Sequence, residues 1–324
     1  MTAALSPAPL AEIEAAAKRL RGLGPPSPLE PLHLPEAPAE IFLKLENLQP
    51  VGCFKARPVG NVMRSLPAAA LADGVFTATS GNTGIALAYV AAQMGVPARI
   101  ICTGLPAAKR ARIAEWGAEI IDVPFETWWP VIATQHTDLA PGVFIDAVGC
   151  PEAVAGDATI GREIIEALGD VDTIVAPFGG GGLTGGIGSA LRAMGHPARL
   201  IAVETEAATP LRAAFDAGEP VTVPRRDCFV TGIGAATVLD RIWPLARTVI
   251  DGVAVVSLRQ VADAVRLLFE RKRVVAEGAG AAALAAILAG QVPGRRIACL
   301  VCGGNIDTGD MATILAGGVP GERG

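Results

Sequence analysis

The sequence predicts an α/β fold built on parallel sheets, and three observations lead there. Short apolar runs with strand character alternate with helical stretches from residue 41 to residue 301. Four consecutive glycines, Gly179, Gly180, Gly181 and Gly182, follow the apolar run 171–176 (VDTIVA) and precede a helical stretch, which is where an open α/β sheet presents its ligand loops. The 324 residues are 51% hydrophobic and 18% charged, so a sizeable core in one or two domains can be buried.

Taken in order, residues 11–21 read as a helix, and residues 22–38, with six prolines, as an extended lead-in. Residues 41–46 (IFLKLE) alternate as a strand does. Strands are then expected at 75–79, 99–102, 119–123 and 143–145, with helices from Asn82, over 107–116, after Pro124 and over 152–168. The strand before the glycines leads to a helix ending near Met194 and a strand at 200–204. The last third gives strands near 248–250, at 254–256 and at 297–301, and helices at 258–271 and 278–288. No internal repeat, low-complexity segment or flexible linker interrupts this rhythm, so two domains would be interleaved rather than strung in series.

Composition excludes several functions. A net charge of −5, a pI near 5.4 and basic residues scattered singly or in short runs such as Lys109-Arg110 argue against a nucleic-acid surface. The longest apolar stretch, 278–290, is mostly alanine and too short to span a bilayer. No basic segment followed by an apolar core opens the chain, so a cytoplasmic protein with no membrane partner is expected. The six cysteines are dispersed, which suits neither a disulfide framework nor a zinc site. Cys299 and Cys302 form a CxxC but flank a core-strand pattern, so buried thiols are expected there rather than redox chemistry. His33, His136 and His196 lack metal-ligand spacing, and no metal is expected.

The glycine loop reads as a phosphate cradle. Without Cβ atoms its backbone can turn N–H groups into one concavity, and a helix starting near Leu183 adds free amides and its dipole. A rival reading competes, because Gly180 to Gly185 also fits G-x-G-x-x-G and Glu204 stands where a ribose-binding acid would in a dinucleotide site. A merely structural glycine turn is the third possibility.

Three other stretches sit at strand-to-helix junctions and converge with the loop. In Gly52-Cys53-Phe54-Lys55-Ala56-Arg57, a partly buried Lys55 would offer a neutral amine able to form a Schiff base, although a lone lysine is more often a solvated surface group. In Thr79-Ser80-Gly81-Asn82-Thr83-Gly84, hydroxyls and amides suit a carboxylate and Asn82 a phenolic oxygen, with an ordinary N-cap as the plain alternative. In Cys302-Gly303-Gly304-Asn305, a neutral thiol can face a ring nitrogen.

These residues carry a resemblance. LKLENLQPVGCFKAR, TSGNTG, GGGGL, EGAGAAALAA and CGGNID occur in the order found in the tryptophan synthase β family of pyridoxal-phosphate (PLP) enzymes, fold type II, and the chain resembles its serine/threonine dehydratase branch from about Pro28 onward. Five motifs in order displace the nicotinamide reading.

The resemblance implies two open, twisted, mainly parallel sheets flanked by helices, with PLP between a large domain (residues 1–72 and 147–324) and a small mobile one (73–146). It implies that Lys55 holds the cofactor as a Schiff base, that Phe54 flanks the ring and that Asn82 bonds its 3′-oxygen. The phosphate would rest on Gly179 to Gly182 and Leu183, with Gly232 beside it, and Cys302 would face the pyridine nitrogen. Thr79, Ser80, Gly81 and Thr83 would hold the substrate carboxylate, with Ser80 a second catalytic residue. The implied activity is an ammonia-lyase converting a small serine- or threonine-like amino acid to a 2-oxo acid and ammonia, as a homodimer.

This chain departs from the branch at Cys53, Pro58 and Thr83, where Ser, Gly and His are usual. TSGNTG and TGIGA (231–235) look more like the cysteine synthase branch, so β-replacement stays open, as do racemisation with Ser80 as acid/base and a catalytically silent PLP-binding sensor. Pro210 stands where some relatives place a second cation-binding acid.

Overall fold

The computed structural model describes residues 4–35, 37 and 39–321. The chain begins with helix α1 (Leu10–Arg19), two antiparallel strands, β1 (Leu29–Leu32) and β2 (Glu40–Leu45), and helix α2 (Ala56–Ser65). Next come β3 (Val75–Ala78), α3 (Asn82–Met94), β4 (Ala98–Cys102), α4 (Ala107–Glu115), β5 (Glu119–Asp122), α5 (Phe125–Thr134) and the short β6 (Val143–Phe144). Helix α6 (Pro151–Ala167) leads to β7 (Thr173–Pro177), α7 (Gly182–Ala193), β8 (Arg199–Thr205) and α8 (Pro210–Ala217). Then follow α9 (Trp243–Val249), β9 (Gly252–Val256), α10 (Leu258–Leu267), α11 (Gly278–Leu288), β10 (Arg296–Val301) and α12 (Thr308–Leu315).

The strands form two sheets. One has six strands in the order β1-β2-β10-β7-β8-β9, parallel except for the β1–β2 pair. The other is wholly parallel, in the order β5-β4-β3-β6. The α/β expectation of two mainly parallel sheets flanked by helices is met. Parallel strands covered on both faces need apolar or small residues at successive positions, and β3 (VFTA) and β7 (TIVAP) are buried throughout.

Helix packing brings the junctions together. The alanine-rich α11 is buried from Gly278 to Ile287, as the 278–288 pattern requires. Helices α6 and α7 meet on glycine: a Cβ on Gly161 would lie 2.9 Å from the Cβ of Ala190, so the backbones can approach only because none is there. Helix α2 joins the two halves, with Val59 and Met63 packed among Ile85, Leu87 and Ile100, while Asn61 donates to the carbonyl of Glu152 in α6 at 2.7 Å.

Sequence and structure part company in five places. The strand expected near 248–250 is the end of α9: Thr248-Val249-Ile250 is β-branched, but Trp243, Leu245, Ala246 and Val249 bury one helical face instead. Gly188 of α7 makes room there, a Cβ on it being only 2.5 Å from that of Val249. The lead-in contains the edge strand β1, whose Pro31 is tolerated because an edge strand leaves amides unpaired; Glu36 and Pro38 lie outside the described residues. Helices α8 and α12 were not expected, and the helix over 258–271 ends in a π-turn at Leu268–Lys272. Among the described residues, no helix is long and apolar enough to cross a membrane.

Candidate active site

Two loops are stitched at the C-terminal end of the central strands. The Phe54 amide donates to the Cys302 carbonyl at 3.0 Å and the Gly304 amide to the Gly52 carbonyl at 2.8 Å. Lys55 follows at the start of α2, half-buried, its Nζ 3.4 Å from the Ala147 carbonyl and 4.7 Å from the centre of the Phe54 ring. Behind it, Arg57 forks onto Glu46 at 2.9 and 2.8 Å and onto Glu163 at 2.6 and 2.8 Å. Lys44 reaches the same Glu163 carboxylate at 2.5 Å. A buried ion-pair network of this kind fixes geometry more than it stabilises, and here it fixes the β2–α2 junction that carries Lys55.

The cleft in front of Lys55 measures about 260 Å³, and every residue to which the resemblance assigns a role lines it. From the four-stranded sheet come Thr79, Ser80, Gly81, Asn82 and Thr83, at the end of β3 and the first turn of α3. The Thr79 hydroxyl accepts the Gly81 amide at 3.1 Å and no side chain caps α3; the Gly84 amide donates to the Gly81 carbonyl at 3.1 Å, which leaves the amides of Asn82 and Thr83 open to a ligand. From the six-stranded sheet come Gly179 to Gly182 and Leu183, with Gly232 alongside and Cys302 and Phe54 at the stitched loops. A larger hollow of about 390 Å³ lies between α1 and α6. It is lined by charged pairs such as Arg162–Glu166, by the already satisfied Arg57 and by the exposed Lys18, and none of the glycine loop lines it.

Four residues missed at the sequence level belong to the cleft or its wall. Glu277, at the start of α11, is buried and accepts from Asn82 Nδ2 at 2.7 Å; burial pushes its carboxyl up, with Lys109 and the Asn82 bond pulling the other way. Asn82 Oδ1 in turn accepts from Asn305 Nδ2 at 2.9 Å, so its amide is oriented from both sides. Lys109, from α4, and Val148 also line it. Glu277 opens the quoted EGAGAAALAA run, and its placement just before an alanine helix is the one signal available for it in the chain.

The dinucleotide reading fails at Glu204. Its two oxygens accept the Leu211 and Arg212 amides at 2.8 and 2.9 Å, capping α8, so it is not free for a ribose. The CxxC thiols are both free and buried, as expected.

Residues 20–303 match the family described as pyridoxal-phosphate dependent enzyme. The chain belongs to this family. It is 34% identical over 273 residues to the L-threonine ammonia-lyase of Thermotoga maritima (strain ATCC 43589 / DSM 3109 / JCM 10099 / NBRC 100826 / MSB8), spanning 83% of this chain and 68% of that protein. It is 32% identical over 275 residues to the catabolic L-threonine dehydratase of Escherichia coli (strain K12), 83% of each chain. Among solved structures, that of maize serine racemase superposes with a TM-score of 0.86 at 28% identity, covering 94% of this chain and 95% of that one. Within the PLP-dependent family this places the chain in the serine/threonine dehydratase-like branch.

The residues present fit the family's cofactor. A Cβ on Gly180 would lie 2.8 Å from Val148 Cγ1, and one on Gly179 would lie 3.0 Å from the Gly232 carbonyl, so side chains would fill the cradle. Gly181 has φ +89°, a left-handed conformation that costs glycine little, and no side chain caps α7 behind it. A phosphate has room and open amides here. Burial, reinforced by Glu277 and Cys53, pushes the Cys302 thiol well above its ordinary range, so a ring nitrogen there meets a neutral group.

Proposed function

We propose that this chain is a PLP-dependent ammonia-lyase that converts a small β-hydroxy amino acid, serine- or threonine-like, to a 2-oxo acid and ammonia. The observation that carries this reading is the meeting, in one cleft, of the Lys55 amine, a glycine cradle at an uncapped helix, an oriented Asn82 and a neutral Cys302. The bound cofactor supplies an electron sink for charge developing at the substrate Cα.

The chain's residues do the rest. Lys55 would hold the cofactor through its amine and, once the substrate amine has displaced it, would be the base that takes the Cα proton. The amides of Gly179 to Gly182 and Leu183 would bind phosphate, the Asn82 side-chain amide would hold the 3′-oxygen, and Phe54 would flank the ring. Cys302, kept neutral by burial, would offer the ring nitrogen no charged partner, which would favour loss of a β-hydroxyl over slower outcomes. Thr79, Ser80, Gly81 and Thr83 hold the substrate carboxylate at the N-terminus of α3.

Residues 73–146, which contain the whole four-stranded sheet, are the proposed small domain; its movement over the cleft would exclude water. Six free thiols suit a cytoplasmic setting, and we infer a homodimer, to be checked by light scattering. Racemisation is the second reading, favoured by the Ser80 side chain lining the same cleft as the Lys55 amine.

Incubation with both enantiomers of serine and threonine, and with larger β-hydroxy amino acids, separates them. Dominant 2-oxo acid supports the lyase; dominant inversion, or sulfide-dependent replacement product, overturns it. Mass spectrometry of the native protein finding NAD or flavin without PLP would remove the basis of both.

A further inference from the structure

Asp157 lies in the middle of α6, with none of its surface exposed, and neither of its carboxylate oxygens has a hydrogen-bond partner among the described residues. Helices α6 and α7 cross at this point. A Cβ on Gly186 would sit 2.5 Å from the Asp157 Cβ, and one on Gly182 would sit 3.2 Å from Asp157 Oδ2. The carboxyl therefore stands against the first residue of α7, the helix whose open N-terminal amides line the cleft. The charged groups that act on it are Lys55 and Arg57 from the start of α2 and Glu46 from the β2–α2 connection. The first turn of α7, Gly182 to Gly186, brings no titratable side chain.

A bare buried carboxylate is costly, and a phosphate dianion at the same helix terminus would add like-charge repulsion in surroundings that screen poorly. We propose that Asp157 is a proton-holding positioning residue for the phosphate loop: the cradle takes the cofactor's phosphate with Asp157 neutral, so loading in alkaline solution draws one proton from solvent onto this carboxyl. The inference rests on the reading that this cleft holds PLP. With the protein's own groups alone, burial pushes Asp157 up to about 8, while Lys55 and Arg57 pull it down and Glu46 pushes it up. Below that point the group is already protonated and loading moves no proton at Asp157. Above it, the proton must be supplied, and phosphate affinity falls.

The test uses pyridoxine 5′-phosphate, which carries the ring and phosphate but no aldehyde to react with Lys55. Calorimetric titration of the cofactor-free protein from neutral to about pH 9, in two buffers of different ionisation enthalpy, reads both affinity and proton uptake, with Asp157→Asn measured alongside. The ligand's ring and phosphate and the rest of the site are common to both proteins, so only the difference between them reports on Asp157. Above about pH 8 the wild-type dissociation constant is expected to rise relative to that of Asp157→Asn, approaching ~10-fold per pH unit, with about one additional proton taken up per ligand. Parallel pH profiles with equal proton uptake overturn the inference and leave the cofactor reading standing. No binding by the wild type at any pH overturns both. Infrared difference spectra of the wild type alone at about pH 9 should gain a protonated-carboxyl band on adding the ligand. Absence of that band overturns the inference even if the variant does not fold.

Discussion

In the six-stranded sheet, β7 is buried at every position, β10 at all but its first, and α11 from Gly278 to Ile287. In the four-stranded sheet the edge strand β5 is nowhere fully buried, and α5 buries only Val131 while exposing Phe125 and Trp129. The cleft runs between these two regions and takes its parts unequally from them. The glycine cradle, the Lys55 amine and the Cys302 thiol belong to the six-stranded side; the loop 79–83 proposed to grip the substrate follows β3, which is buried throughout like β7, on the side whose outer elements β5 and α5 are sparsely packed. Dense packing holds a group within a narrow range of positions; sparse packing lets an element move at small cost. A cofactor that must stay and a substrate that must come and go call for this division.

The strongest way to break the comparison is Lys55→Ala. If the chemistry is seated on the tightly packed side, 2-oxo acid formation should fall by about a thousandfold or more, and retention of normal turnover without added amines would remove Lys55 from its role. Next, Gly181→Asp set against Gly81→Ala compares the two loops directly. At Gly181 the backbone is left-handed and a Cβ would lie 2.5 Å from Ile242 Cγ2, and the aspartate adds charge; at Gly81, φ is −138° and the nearest atom to a Cβ is 3.9 Å away. Cofactor retention after dialysis should drop by roughly a hundredfold in Gly181→Asp and by less than about threefold in Gly81→Ala. Equal losses would mean that the two loops are equally constrained.

A stability experiment sharpens the same contrast. Leu300, in β10, has no exposed surface, and Leu300→Ala should cost about 2–5 kcal/mol in denaturant unfolding. Ile121, in β5, is half-buried, and Ile121→Ala should cost about half of that or less. Comparable costs would show that the four-stranded sheet is as firmly packed as its partner.

The smallest expected effect is a change in product ratio at Cys302. Cys302→Ser keeps a small neutral partner for the ring and should leave the ratio of 2-oxo acid to inverted product within about twofold. Cys302→Asp would hold the ring nitrogen protonated through a charge-assisted bond and should raise inversion or transamination several-fold, about 2–10 times. If Cys302→Asp binds PLP normally and keeps the parental ratio, residue 302 packs the strand end and faces no nitrogen.

The parts of the site legible in the sequence are those written locally. Four short motifs close a strand and open a helix, so chain order alone places each at the ligand-bearing end of a sheet. What is not legible depends on residues that meet only through packing. Nothing near Glu277 announces Asn82 as its partner, and nothing near Asp157 announces that two glycines of α7 will press against it. The fold divides in the same way. Helix α11 is legible from its alanine run, whereas the stretch after Pro244 carries β-branched residues that favour a strand and a buried face that favours a helix. The contact with Gly188 decides between them. Strand β1 hides behind its prolines because edge strands obey weaker rules than central ones.

The pairing of residues 40–45 with residues 296–301 has a consequence for how the protein comes into being. Strand β2 leaves the ribosome early and finds its central neighbour only when almost the whole chain has been made. Until then its inner edge stays open, a template for other unpaired strands. The four-stranded sheet draws its pairings from residues 75–144 and can close while synthesis continues. Lys55 and Cys302 follow the two strands of the late pairing at their shared C-terminal end, joined through the Phe54 amide. A nascent chain therefore carries the loop 79–83, proposed to grip the substrate, well before the Lys55 loop is stitched to Cys302, and any C-terminal truncation that removes β10 removes that stitch as well.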